Sequence, residues 1–290
     1  MIYQFRSFSR GKKANLQAHL QRTGSSYRIP SLRSSQNKDY KHVDYRRQYA
    51  VLADGLSGGN HGGEAAYHAV QTINLYLPGM LRQFRRNSTE HEAIQQRIRN
   101  LLLATNELMY SISHGFEQYH DWGTTLDLCV LVGDRAYLGH VGDGSVFHLD
   151  RCSGEMKKLT EDHSIEPPGF NSIPEHLKAV ALLNSPLTNY MGGKDAEVDV
   201  IDQEIGEGDM LLMASDGLTK LVSQENLEHI LRTSKGPDEA RSMLIERLPE
   251  YSDYAGEFMD LRGVDIEDAG RRLIDDVTFI LIGGIEDGKV

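Results

Sequence analysis

Three apolar runs in this chain meet an aspartate at one end, and that recurrence constrains the fold more than any other feature. YAVLAD ends at Asp54, MLLMASD ends at Asp216, and Asp275-Asp276 opens VTFILI. A fourth aspartate, Asp143, sits in the turn of GHVGDGS, between two further short runs. Short apolar runs bounded by Asp and Gly read as buried strands. A carboxylate at the end of such a strand is costly unless its charge is met. No pattern of Lys or Arg accompanies these four, so basic side chains are not expected to meet it. If the strands are neighbours, the carboxylates converge at one edge of a sheet. Converging carboxylates do not all stay ionised without cations between them. Hard divalent ions with oxygen ligands, magnesium or manganese, are the natural answer. A single Asp-Gly after a strand is usually just a turn, and it is the recurrence that carries the metal reading.

The rest of the chain sets the architecture. Ser25 to Asp39 reads as a loop, and GLSGGNHGGE, between the first strand and a helix, as a glycine-rich loop. Ala66, Val70, Ile73 and Leu77 recur at helical spacing, with Pro78 expected to close that helix. A second helix carries a capping-box pattern, Thr89 and Glu92, an apolar face of Ile94, Ile98, Leu101, Leu108 and Ile112, and a stop at Gly115. LDLCVLVG, RAYLGHVG and SVFHLD are short strand-like runs separated by turn residues. Residues 164–200 read as loops with a short helix. Two short helices begin at Ser223 and Pro237, before a last strand. There is no βαβ alternation, so antiparallel sheets with helices packed outside are expected, an α+β fold. No linker is visible, and residues 1–290 are read as a single domain.

Composition narrows the classes. The 290 residues are 39% hydrophobic and 25% charged, ordinary values for a globular chain. No apolar run is long enough to span a membrane, and the N-terminus has no secretory stretch. Two cysteines, Cys129 and Cys152, argue against a disulfide scaffold and fit a reducing cytoplasm. The net charge of −11 is uneven. Residues 1–50 carry about +9 and the remainder about −20, by count of the sequence. An acidic chain is a poor nucleic-acid binder. The basic segment, about residues 1–47, is read as neutralising or recognising anions beside an acidic site.

Seven motifs in order resemble the protein phosphatase 2C family, the metal-dependent (PPM) serine/threonine phosphatases, in its bacterial form. They are VLADGLSGGNHGGEAA, GTTL (Gly123 to Leu126), YLGHVGDGSVFHL, LTEDHS (Leu159 to Ser164), NSPLTNYMG, LLMASDGL and DDVTFILI. The resemblance runs from about Arg33 to Ile282. It implies a four-layer α-β-β-α sandwich, with two central antiparallel sheets flanked by helix pairs. It implies two Mn2+ or Mg2+ ions, with a third in bacterial-type members. Asp54 would bridge the two catalytic metals, and the Gly55 carbonyl would bind one of them. Asp216 and Asp275 would complete the other shell, with Asp275 preferred because Asp276 stands where the family usually has Asn. Asp143, with Asp216, would hold the third ion, and Asp39 would contact metal-bound water. Arg33 would bind the phosphate bidentately, with Arg28 in reserve.

Departures are visible too. Lys38 replaces a usual Glu, and Arg33 lies six residues before Asp39 instead of five. The Asp-Gly loop is one residue longer, with Ser57 the inserted position. Gly144-Ser145 replaces Ser-Arg, so a supporting ion pair is expected to be missing. Leu56 stands where many members have a general-acid His, and His61 in the same loop is the candidate for that role, against the plainer reading of a solvated loop residue. His163 is expected to stabilise a turn by hydrogen bonding. A variable flap is expected within residues 167–199, and DYAGEFMDLRGVDIED, from Asp253, reads as an acidic surface insertion.

The implied activity is direct hydrolysis of phosphoserine or phosphothreonine in a partner protein, opposing a serine/threonine kinase, in the cytoplasm, without membrane or nucleic-acid partners. Two rivals stand beside it. One is a pseudophosphatase that binds phosphoproteins or a kinase without turnover. The other is a metal-dependent hydrolase of small phosphoesters.

Overall fold

The computed structural model describes residues 3–10, 37–56, 61–86, 90–115, 122–165, 185–248 and 276–284. In chain order the strands are β1 (Tyr3–Arg10), β2 (Asp39–Asp44), β3 (Tyr49–Asp54), β4 (Leu126–Val132), β5 (Arg135–Val141), β6 (Ser145–Leu149), β7 (Met156–Lys158), β8 (Asp199–Glu204), β9 (Met210–Ala214) and β10 (Val277–Gly284). The helices are α1 (Gly62–Arg86), α2 (His91–Gly115), α3 (Asp216–Leu221), α4 (Gln224–Thr233) and α5 (Pro237–Arg247). One five-stranded sheet runs β1-β10-β9-β6-β7 and the other β2-β3-β4-β5-β8, with antiparallel pairing throughout.

Three apolar layers bind these elements into the expected sandwich. Between the sheets lie Ala50, Leu52, Cys129, Leu131, Leu138, Leu211, Met213, Ile280 and Ile282. Alternate residues of the same strands point outward. Val51, Ala53, Leu128 and Val130 pack under α1 and α2, while Leu212, Ala214, Phe279 and Leu281 pack under α3, α4 and α5. Both faces of the central strands are covered, which is why they read as continuous apolar runs instead of alternating ones. Each fully buried Leu or Ile of these layers contributes roughly 1.5–3 kcal/mol relative to exposure.

Two helix boundaries differ from expectation. Pro78 lies inside α1, which continues to Arg86. An interior proline costs about 3 kcal/mol through its missing N–H and its ring clash. The turn beyond it buries Leu81 and Phe84 in the outer layer, and that burial offsets the cost. In α2 the Glu90 carbonyl accepts from Ile94 N–H, so the helix begins one residue later than a Thr89 cap would set it. Ile94, Ile98 and Leu101 are buried as expected, but Leu108 is 48% exposed. Thr105 and Met109 take the inward positions at that end, because a 3.6-residue period drifts away from Leu108.

Part of the basic N-terminal segment is a strand. β1 pairs with β10 along its whole length, from Tyr3↔Gly284 to Arg10↔Val277. The Arg6 guanidinium forks onto the Asp238 carboxylate at the start of α5. Arg241 Nε donates to the Ser7 carbonyl at 3.1 Å. Arg6 of β1 and Arg241 of α5 thus tie an edge strand to the helix beside it. No helix among the described residues is long and apolar enough to cross a membrane.

Candidate metal centre

The site is built where β2 begins and β3 ends, beside the start of α3 and the β5–β6 turn. Asp39 and Asp54 stand directly opposite each other in the β2–β3 register. Side chains of such a pair share one face of the sheet. The main chain at Asp54 is clamped by the GTTL motif. Its N–H donates to Thr125 Oγ1 at 3.0 Å, and its carbonyl accepts from Thr125 N–H at 2.8 Å and from Thr124 Oγ1 at 2.7 Å. The Gly55 N–H donates to the Lys38 carbonyl at 3.2 Å. These bonds fix where the Asp54 carboxylate begins without using the carboxylate itself.

Ser215 joins the two sheets at this point. Its hydroxyl lies 3.1 Å from Asp39 Oδ2 and 3.3 Å from the carbonyls of Asp276 and Thr278, and it accepts from Thr278 N–H at 3.0 Å. Ser215 also stands at the N-cap position of α3, without a side-chain capping bond, so Asp216 is the first residue of that helix. Carboxylates suit a helix N-terminus, where the backbone dipole is positive. Asp276 is buried, and its Oδ2 accepts from Lys38 N–H at 2.6 Å. Ser215→Ala removes hydrogen bonds from a fully buried position. A loss of about 1–3 kcal/mol in unfolding free energy is expected, measured by chemical denaturation.

Asp143 closes the ring. It follows Gly142, whose φ is +115° and whose main chain is packed so tightly that a Cβ there would lie 2.6 Å from the Thr125 Cβ. Burial, and then the charge of Asp216, push the Asp143 carboxyl up to about 7, with Lys220 pulling the other way. A carboxylate whose proton affinity is raised by a second carboxylate makes with it a place that favours a cation. The Gly142 turn is locked from behind by His163. The His163 N–H donates to the Gly142 carbonyl at 2.8 Å, its Nδ1 accepts from Gly142 N–H at 3.1 Å, and its Nε2 meets Asp199 Oδ2 at 3.0 Å. His163 is therefore engaged in holding the turn, as expected.

The donor set fits a hard divalent ion. Asp39, Asp54, Asp143 and Asp216 are hard oxygen donors, and they are linked in space through Thr125, Gly142 and Ser215. Among the described residues no group of three or more His, Cys, Asp or Glu side chains is placed to hold a metal ion together. Magnesium and manganese sites often take one or two carboxylates and complete the shell with water and carbonyls, so paired aspartates suit them.

Sequence reasoning missed the cations of the site. Lys220 of α3 forms an ion pair with Asp216, contrary to the expectation that no basic residue would accompany the aspartates. The signal was present, because Lys220 is four residues after Asp216 and therefore on the same helix face. On β2, burial pushes the Lys41 ammonium down to about 8, against the charge of Asp39 and with Arg241 adding to the fall. His61 precedes α1 with its Nδ1 3.2 Å from Glu64 Oε2. The next residue, Gly62, packs on Gly55 so closely that a Cβ on Gly55 would lie 2.2 Å from the Gly62 carbonyl. Arg33, Arg28, Ser57 and Asp275 lie outside the described residues, as do Thr89, most of the expected flap and the acidic stretch from Asp253.

Behind the site, Asp127 and His140 form a buried pair with Nδ1–Oδ1 at 2.7 Å, and His140 Nε2 meets the Glu161 carbonyl at 2.9 Å. Burial alone would lower the imidazole pKa. The charge and hydrogen bond of Asp127, with the Glu161 carbonyl and Asp162, outweigh it, and the pKa is raised. The other Asp127 oxygen, Oδ2, occupies the space beside Gly144 and has no hydrogen-bond partner among the described residues.

Fold and motifs point to one class, the protein phosphatases with a central double sheet. A family model described as protein phosphatase 2C matches residues 32–248, and the chain belongs to that family. It is 27% identical over 209 residues to the protein phosphatase PhpP of Streptococcus pneumoniae, covering 67% of this chain and 78% of that protein. It is 24% identical over 227 residues to the serine/threonine phosphatase stp of Listeria monocytogenes, covering 74% and 82%. Among solved structures, the catalytic domain of the serine threonine protein phosphatase PstP in complex with two manganese ions superposes with a TM-score of 0.67. That match has 17% identity and covers 98% of this chain and 99% of the other. The chain is thus a protein phosphatase of bacterial PPM type.

Proposed function

We propose that this protein removes phosphate from phosphoserine or phosphothreonine of a partner protein, by attack of water at a centre of two divalent cations. The observation that supports the reading is that Asp39 faces Asp54 in the β2–β3 register and takes a hydrogen bond from Ser215, the residue before Asp216, whose charge reaches Asp143. Asp54, with the Gly55 carbonyl, Asp216 and Asp275, would hold the two ions, and Asp39 would orient water beside them. When bound, the cations supply a nucleophilic water at neutral pH and neutralise charge on the phosphoryl oxygens. Arg33, or Arg28 in its place, would grip two phosphate oxygens through its guanidinium fork. His61, at the lip of the Asp-Gly turn, would give a proton to the leaving serine or threonine oxygen.

The test is phosphate release from a phosphothreonine peptide with added manganese, alongside a small aryl phosphate and a chelator control. Release from the peptide that depends on metal and exceeds release from the aryl phosphate is expected. A folded protein that releases nothing with any divalent metal would overturn the reading in favour of a phosphoprotein-binding module. Preference for the small ester would move the substrate class instead.

A further inference from the structure

Asn106 sits in the buried face of α2 and is 6% exposed. Asparagine is a poor helix former, and its amide is costly to bury unless it is hydrogen-bonded. Both ends of the amide are used here, on one target. Oδ1 accepts from Gly192 N–H at 2.7 Å, and Nδ2 donates to the Gly193 carbonyl at 3.1 Å. The segment so gripped reaches the metal centre in two steps. Met191 N–H donates to the Thr124 carbonyl at 2.8 Å, and Thr124 N–H donates to the Met191 carbonyl at 3.1 Å. Thr124 bridges in turn to Gly55, and its hydroxyl donates to the Asp54 carbonyl at 2.7 Å. Met191, Gly192, Gly193 and Thr124 are all buried.

We propose that Asn106 is a positioning residue for the metal centre: it straps residues 191–193 to α2, and through Thr124 that strap holds the Asp54-Gly55 turn in the shape that binds metal. The proposal rests on the reading of Asp54 and the Gly55 carbonyl as metal ligands. Among the described residues Asn106 hydrogen-bonds to none of the proposed ligands, so its effect travels through the main chain. Gly55, Thr124 and Met191 form a short antiparallel ladder, with the Asp54-Gly55 turn on one side and the segment held by Asn106 on the other. Without the Asn106 amide, the Gly192 N–H and Gly193 carbonyl are left buried and unsatisfied. The segment relaxes towards water and takes Met191 and Thr124 with it. The Asp54 carbonyl then loses the hydroxyl that fixes it, and the Gly55 carbonyl loses its set direction.

Two measurements on the full chain test this: amide hydrogen exchange without metal, and manganese titration by the free-ion electron paramagnetic resonance signal. In Asn106→Ala the amides of Leu56, Thr124 and Thr125 should exchange about tenfold faster relative to Leu212 of β9, which reports global opening. Mn2+ should bind roughly tenfold more weakly, the low end of what orienting groups outside a coordination shell contribute. Ile94→Ala opens a cavity about 18 Å away along α2 and controls for lost stability alone. It should not raise the exchange ratio, and it should leave manganese affinity within about twofold of wild type. Thr124→Val removes the hydroxyl bond to Asp54 on the same strap. Combined with Asn106→Ala, it should weaken manganese binding by less than the product of the two single effects. Unchanged exchange and affinity in Asn106→Ala would overturn the proposal, and so would an equal loss in Ile94→Ala or single effects that multiply in full. No manganese binding by folded wild type would overturn the metal centre instead, with the exchange ratio still deciding the strap. Melting curves without metal confirm folding, and Asn106→Asp, which keeps the acceptor for Gly192 alone, replaces Asn106→Ala if that variant does not fold.

Discussion

Asp54→Asn should reduce manganese-dependent release of phosphate from a phosphothreonine peptide by more than about 100-fold, since outer-shell changes at metal sites already cost 10–100-fold. The substitution is nearly isosteric, and the structure explains why it should leave the fold alone. The main chain at Asp54 is held by Thr124 and Thr125, and none of those bonds uses the carboxylate. What is lost is one negative charge and one hard oxygen donor at the position proposed to bridge two cations. Without metal, the variant should melt at or above the wild-type temperature, because Asp54 faces Asp39 and like charges repel. With metal, the wild type should gain stability by binding, about 2.7 kcal/mol at a concentration of 100 times Kd, and the variant should gain much less. Activity within threefold of wild type would remove Asp54 from the centre. Loss of activity together with a collapsed melting temperature would show a structural role instead.

Gly144→Ala should destabilise the protein by about 3 kcal/mol or more, by overpacking a buried charge. The added Cβ would lie 1.8 Å from Asp127 Oδ2 and 2.9 Å from its Cγ. A side chain with freedom to move would yield, but Asp127 is fully buried and held by His140, which is held in turn by Glu161. Moving the carboxylate breaks that pair in a place with no access to water. A fall of roughly 6–12 °C in melting temperature is expected for a chain of this size. Asp127→Ala makes the space that the methyl group needs. The double variant should therefore be no less stable than Asp127→Ala alone, a coupling that independent sites do not show. A Gly144→Ala protein that melts within about 2 °C of wild type would disprove the contact.

Gly144 also shows what comparison of motifs can and cannot give. Gly144-Ser145 in place of a usual Ser-Arg reads, in sequence, as a lost ion pair. In the structure it is a space filled by the carboxylate of Asp127 from the neighbouring sheet strand. Asp127 was visible as a lone acid in the apolar run LDLCVLV, but its partner His140 is thirteen residues away and opposite it only through the β4–β5 register. β1 and β2 went unread for a related reason. YQFRSFSR and DYKHVD are edge strands with polar side chains, and they lack the apolar signal that double burial imposes on central strands. Leu108 and Pro78 were misplaced because local pattern decides neither where a helix face meets its neighbour nor how much burial outweighs a proline.

The element types, the strand end at Asp54, the strand that stops just before Asp216, the Asp143 turn and the helix spacing of Asp216 and Lys220 are local properties, written in runs of fewer than ten residues. Residue type and period are enough to determine them. The pairing of Asp39 with Asp54, the bond from Ser215 to Asp39 across 176 residues, and the approach of Asp143 to Asp216 were decided only by the tertiary structure. Sheet register and layer packing bring those groups together, and both follow from burying apolar faces that lie far apart along the chain. The charges of the site, Lys220 four residues after Asp216 included, could be read one by one from the sequence; their convergence could not.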